Sequence, residues 1–197
     1  MRKFFNINEI SEKKEVQEIV PGDESKIHRA RFDFIHEHKI KSLKKLAGEL
    51  PGENEVFFIE TTNSFNAFTF IVYIVKYVGV IDELFIATYS INQRILSSLT
   101  RRLQKNEIRR VHLYIADSIK NRVPKIKDQL DIMQEQFKNF TVEYAWTHKK
   151  VIAIRVGDDY FVVEGSGNFS ENSAEEQYVF IKSKQLYDFK TRNSNFS

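Results

Sequence analysis

Val151-Ile152-Ala153-Ile154-Arg155-Val156-Gly157-Asp158-Asp159-Tyr160-Phe161-Val162-Val163 is the stretch whose reading decides the fold. Two runs rich in β-branched and aromatic residues flank Gly157-Asp158-Asp159, a hairpin turn signal, so the segment reads as two antiparallel strands. Upstream, strand-like and helical runs alternate. Glu55 to Glu60 is a short apolar run fit for a buried strand, Asn66 to Tyr77 looks like a buried helix, and Leu84 to Tyr89 reads as the next strand. Gln93 to Lys105 sets Ile95, Leu96, Leu99 and Leu103 on one helical face, and Arg110 to Ala116 returns to a strand. Pro124 fits a first helical turn, followed by the stripe Ile126, Leu130, Met133 and Phe137. Val142 to Trp146 leads into the hairpin and Tyr178 to Lys182 is a last strand. The alternation, closed by a hairpin, predicts an α/β fold with a mixed, mainly parallel β-sheet flanked by helices on both faces.

Nearer the start, Ile40, Leu43, Leu46, Ala47 and Leu50 have helical spacing and Pro51-Gly52 stops the run, which predicts an amphipathic helix. Residues 1–30, with the turn signal Pro21-Gly22-Asp23, read as an arm or a small appended element. The domain reading is therefore residues 1–50 for the arm and amphipathic helix, either separate from the main domain or part of it, residues 51–190 for the main domain and residues 191–197 for a polar tail. With 42% hydrophobic residues and 17 Phe in 197, there is ample material for one buried core. The net charge of +3 identifies no partner by itself, so any nucleic-acid reading rests on where the charges lie. The absence of Cys excludes disulfides, thiolate metal sites and a Cys nucleophile, and fits a reducing cytoplasm. No apolar run follows Met1-Arg2-Lys3, so no signal peptide is expected, and Phe65 to Ile81 falls short of the ~20 residues a membrane crossing needs. No membrane insertion is expected.

The chemistry concentrates after Trp146. His148 and Lys150 form the single His-x-Lys triplet, and side chains two apart on an extended segment share a face. An imidazole there can attack phosphorus while the ammonium holds the phosphate oxygens. Beyond the hairpin, Gly165 and Gly167 permit tight backbone turns, and Ser166 and Asn168 supply short polar groups that can complete an anion site. Glu175 and Glu176 precede the last strand, where a carboxylate can hold a His Nδ1–H. Taken singly, each of these is also an ordinary solvated strand end or turn. His36 and His38, with Asp33, suggest a metal, but two apart on a helix they point to nearly opposite sides, so no metal is expected. His112, between Val111 and Leu113, reads as a core or strand-face histidine. Arg94, Arg101, Arg102 and Lys105, like Lys39, Lys41, Lys44 and Lys45, lie off their apolar stripes and read as solvent-exposed faces.

Together these residues resemble the signature of the phospholipase D superfamily, H-x-K-x4-D-x6-G-S-x-N. The match is His148, Lys150, Gly165, Ser166 and Asn168, continued by Phe169-Ser170, and Glu176 looks like the family's downstream glutamate, with Glu175 the close alternative. Two departures stand out: Arg155 occupies the Asp position, and the gap from His148 to Gly165 is three residues longer than the pattern. The resemblance implies a phospholipase D-like α-β-α sandwich over residues 51–190 and a phosphodiesterase that needs neither metal nor cofactor. His148, Lys150, Ser166, Asn168 and Glu176 would be its catalytic residues. It also implies a homodimer, because the family's active site uses two motifs and this chain has one. Nucleic acid is the expected substrate, DNA favoured over RNA, which makes the chain a nuclease acting through a phosphohistidine. The alternatives are a catalytically impaired nucleic-acid-binding protein and a phosphodiesterase acting on lipid.

Overall fold

A computed structural model of the chain describes residue 32 and residues 34–46, 48–61, 66–170 and 175–192. All belong to the second of the two units into which the chain divides, residues 31–197, and the arm expected over residues 1–30 lies outside the described residues. Eight strands, β1 (Phe34–Ile40), β2 (Glu55–Thr61), β3 (Glu83–Thr88), β4 (Val111–Ala116), β5 (Phe140–Ala145), β6 (Val151–Val156), β7 (Asp159–Gly165) and β8 (Glu176–Lys182), form one sheet. Its order is β1-β2-β8-β7-β6-β3-β4-β5. Strands β6 and β8 run against both of their neighbours and the other six share one direction, so the sheet is mixed, with most strands co-directional though four of its seven pairings are antiparallel. The strands expected from sequence all form.

Alternation along each strand sorts side chains between two faces. On one face Leu84, Ile86, Leu113, Ile152 and Val163 join α1 (Phe68–Val78), α2 (Gln93–Gln104) and α4 (Pro124–Gln136) in the main core. The intrinsic helix propensity of α1, rich in Phe, Ile and Val, is modest. Packing makes it a helix: Phe70, Ile71 and Ile74 are fully buried, each removal from water contributing about 1.5–3 kcal/mol. At the start of α2, Asn92 Oδ1 accepts the Ile95 N–H at 2.9 Å, a cap that stabilises by ~1 kcal/mol. The opposite face is smaller. There Phe85, Val151, Ala153 and Val162 pack with Tyr187 of α5 (Lys184–Thr191).

Three expectations are corrected. The helix predicted from Ile40 to Leu50 does not form: Ile40 ends β1, and Leu43–Leu46 make a single 3-10 turn. The buried pair Leu43 and Leu46, three apart, satisfies 3-10 geometry as well as α-helical geometry, and the preceding residues are taken by pairing with β2. His36 and His38 accordingly lie on β1, and the His38 ring packs edge-on against Phe57 at 5.2 Å. Arg102 is buried rather than solvent-facing, with its guanidinium on Glu107 at 2.5 Å. Two helices were not anticipated: the four-residue α3 (Ile119–Arg122) and α5, which Ser183 caps by accepting the Leu186 N–H. No helix among the described residues is long and apolar enough to cross a membrane.

Candidate active site

His148, Lys150, the Gly165–Asn168 loop and Glu176 gather at one end of the sheet, the carboxyl end of the six co-directional strands, where open α/β sheets place their ligands. The hairpin explains how. Val151 pairs with Glu164, so Gly165 returns beside Lys150 and its N–H reaches the Lys150 carbonyl at 3.4 Å. The additional residues of the hairpin extend its tip and leave this closure in register. Arg155, in the place of the motif's Asp, lies five residues along β6, roughly 16 Å away at 3.3 Å per residue. There its guanidinium meets Glu83 at 3.0 Å, and Glu83 also accepts from the Tyr187 hydroxyl at 2.9 Å. Both departures from the signature therefore fall at the far end of the hairpin.

The two glycines of the loop are required by a tyrosine. A Cβ on Gly165 would run into the Gln177 carbonyl oxygen and the Tyr178 ring, and one on Gly167 would fall on the Tyr178 hydroxyl. Burial, followed by the Glu176 carboxylate, drives the Tyr178 phenol well above its ordinary pKa, so it stays neutral. After Gly167 the loop is pinned to the turn that follows β3. Phe169 N–H donates to the Ser90 carbonyl and Asn92 N–H to the Phe169 carbonyl, each at 3.2 Å, while the Ser90 and Ser170 hydroxyls meet at 3.1 Å. Phe169 is fully buried against Phe68. The same turn carries Tyr89, whose ring lies 4.8 Å from the His148 imidazole. Thus one turn holds both His148 and the loop of Asn168. Asn168 is half-buried, and its Oδ1 finds no hydrogen-bond partner among the described residues.

Lys150 Nζ lies 3.1 Å from His148 Nδ1 and 3.1 Å from the His148 carbonyl. As an ammonium it donates to both, so Nδ1 is an acceptor in this state. Burial pulls the Lys150 pKa below the ordinary lysine value, and the Glu176 carboxylate opposes that shift. Glu176 is buried, accepts the Ser166 hydroxyl on Oε2, and is fixed at its backbone by Thr61, whose Oγ1 accepts its N–H at 3.1 Å. Its neighbour Glu175 is exposed. Ser166 is held in turn by the backbone of Gln177, N–H to carbonyl at 3.0 Å and Gln177 N–H to Ser166 Oγ at 3.1 Å. The surrounding cations sit on aromatic rings: Lys120 over Tyr144 at 4.3 Å and Arg122 over Tyr89 at 4.6 Å. Among the described residues no group of three or more His, Asp and Glu side chains converges as a metal site would need. Thr61 and Tyr89 escaped the sequence reading. Thr61 ends β2 and Tyr89 directly follows β3, both at the carboxyl end of the sheet, which is the one signal that points to them.

No protein-family model matches the chain, and neither does any curated protein. Solved structures do. Polyphosphate kinase from Porphyromonas gingivalis superposes with a TM-score of 0.53 at 14% identity over 72% of this chain and 25% of that one. Phosphatidylserine synthase from Haemophilus influenzae superposes with a TM-score of 0.50 at 15% identity, over 70% of this chain and 37% of that one. This chain therefore spans well under half the length of either. At such identity the likeness is one of architecture, and that architecture is the phospholipase D-like α-β-α fold.

Proposed function

We propose that the chain is a metal-independent phosphodiesterase that cleaves nucleic acid, DNA before RNA, as a homodimer with His148 as nucleophile. The observation that carries this reading is the register of the β6–β7 hairpin, which returns Gly165 and Ser166 to Lys150 while Glu176 holds Ser166 and lies close enough to act on Lys150. The solved fold neighbours are both phospholipase D superfamily enzymes, which favours phosphoryl-transfer or phosphodiester chemistry. Nucleic acid is favoured over lipid by cations held on aromatic rings at the same end, Lys120 on Tyr144 and Arg122 on Tyr89, a combination suited to phosphates and bases together.

In the proposed reaction the incoming phosphate draws Lys150 Nζ away from His148 and onto its own oxygens. The imidazole then changes tautomer through solvent, Nε2 releasing its proton to water and Nδ1 taking one up, so that Nδ1–H can donate to the Glu176 carboxylate and Nε2 is free to attack. An N–P bond forms, the P–O bond to the leaving group breaks, and the partner's His148 protonates the departing oxygen. Lys150 and the Asn168 amide stabilise charge on the phosphorane, and Ser166 supports the phosphate. Water then attacks phosphorus, giving up its proton to the partner's His148 as the N–P bond breaks.

The test is cleavage of a labelled oligonucleotide in excess EDTA by the purified full chain and by His148→Ala. The variant is expected to lose at least roughly 10³-fold in kcat/KM while keeping its affinity. Undiminished cleavage by His148→Ala refutes the assignment. A strictly monomeric protein across micromolar concentrations refutes the paired-site form of it.

A further inference from the structure

His148-Lys149-Lys150 straddles the sheet. Lys150 faces the side of Glu176, whereas Lys149 turns to the other side, where its Nζ lies over the Tyr114 ring at 5.7 Å. On that side a cavity of about 380 Å³ opens between the end of the hairpin and the end of α5. Phe85 and Val151 give it an apolar part, and Lys149, Glu164, Phe189, Lys190 and Arg192 line it together with Lys150, which it shares with the site on the other face. The Glu164 carboxylate is taken by Lys190. Neither Lys149 nor Arg192 forms an ion pair among the described residues; Arg192 lies over the Phe189 ring at 4.8 Å. A small cavity with an apolar floor and surplus positive charge on its walls selects an anion.

Resting on the function proposed above, we infer that this cavity is a second phosphate subsite. It holds the phosphate next to the scissile one on a polyanionic chain, so the substrate passes from the face of Lys150 to the face of Lys149. The shared chemistry is a chain carrying at least two phosphates, which nucleic acid and inorganic polyphosphate both supply. Phe189, 47% exposed beside these cations, offers a surface on which a base can stack and favours nucleic acid.

The double variant Lys149→Ser/Arg192→Ser tests this, with Lys149→Arg as the charge-conserving control. Binding is followed in the His148→Ala background through Trp146, the chain's single tryptophan, which is 93% exposed and two residues from His148. Loss of two phosphate contacts should lower the slope of log affinity against log salt for single-stranded oligonucleotide by about 1.4. Affinity near physiological salt should fall roughly tenfold, with Lys149→Arg close to the parent. On the catalytic chain, hydrolysis of bis(p-nitrophenyl) phosphate, which has one phosphate, should stay within twofold. An unchanged salt slope, or equal losses on the one-phosphate substrate and the oligonucleotide, overturns the subsite. Weakened binding of oligonucleotide alone supports it and assigns it to nucleic acid; equal weakening with inorganic polyphosphate supports it and assigns it to the phosphate chain. The binding arm needs no turnover, so a chain that fails to cleave anything still reads out the subsite separately.

Discussion

At the tip of the β6–β7 hairpin, Arg155 reaches Glu83 at 3.0 Å, Arg109 reaches Asp82 at 2.6 Å and Lys182 reaches Asp159 at 2.7 Å. At the open end, Lys120, Arg122 and Lys149 lie instead over the rings of Tyr144, Tyr89 and Tyr114. A carboxylate cancels the charge of the cation it holds, whereas a ring orients a cation and leaves its charge available. The tip therefore joins β3, β6, β7 and β8 to one another, and the open end leaves its cations uncancelled by the rings they lie on. Under the proposed function Arg155 is compatible with the site, since its position belongs to the end of the hairpin held by ion pairs.

Lys150→Met should give the largest separation between the two ends. Removing the ammonium that would hold the phosphate oxygens is expected to lower kcat/KM on a phosphodiester by about 10²–10³. Stability should hold or improve, since burial already works against the Lys150 charge. Activity and urea midpoint measured on the same preparation decide it. A midpoint that drops along with activity would make Lys150 part of the scaffold and erase the contrast with Arg155.

Gly167→Ala comes next. Its Cβ meets the Tyr178 hydroxyl, a buried group, so the loop or the ring must shift, at a cost of about 1–3 kcal/mol. Deleting that hydroxyl makes room. Tyr178→Phe combined with Gly167→Ala should therefore lose less stability than the two single changes added together. Strict additivity in urea unfolding would show that the glycine serves something other than this close approach.

The strands were legible because alternation and β-branched runs encode burial directly, as in Val151–Val156, and α1, α2 and α4 because their apolar stripes match a helical period. The segment from Ile40 to Leu50 misled because leucines spaced by three fit a 3-10 turn as well as a helix, and what decides is β1 pairing with a partner encoded elsewhere. Within the site, residue types and spacing pointed to His148, Lys150, Ser166, Asn168 and Glu176. Their sequence could not show that Ser166 binds Glu176, that Tyr89 packs on His148, or that the glycines yield to Tyr178. The Tyr89–His148 contact joins segments far apart in the chain, and the other two depend on how β8 pairs with β7, which residue types do not state. The α5 wall of the second cavity was equally hidden, since eight residues carry too few turns for a periodic signal.

The smallest effect concerns the tip itself. Arg155→Asp restores the residue of the family signature yet sets a carboxylate against Glu83 and Asp82, so it should destabilise by about 1–2 kcal/mol. Activity per folded molecule should not change, because the proposed active site is roughly 16 Å away along the strand. Acid provides a finer reading. The Gly157 N–H, then Arg109 and Arg155, hold the Asp82 carboxyl below its usual range, and Arg155 above all does so for Glu83, with burial opposing both shifts. Carboxyls depressed on folding contribute stability that is present above their unfolded values, about 3.9 for Asp and 4.3 for Glu, and is lost as pH falls through the folded ones. Wild-type urea midpoints should thus decline below about pH 4, and Arg155→Met, lacking the main partner of Glu83, should decline less steeply across that window. Identical slopes would mean that Arg109, Arg110 and the Tyr187 hydroxyl suffice to hold the two carboxylates, and that Arg155 is replaceable at the tip as well as remote from the site.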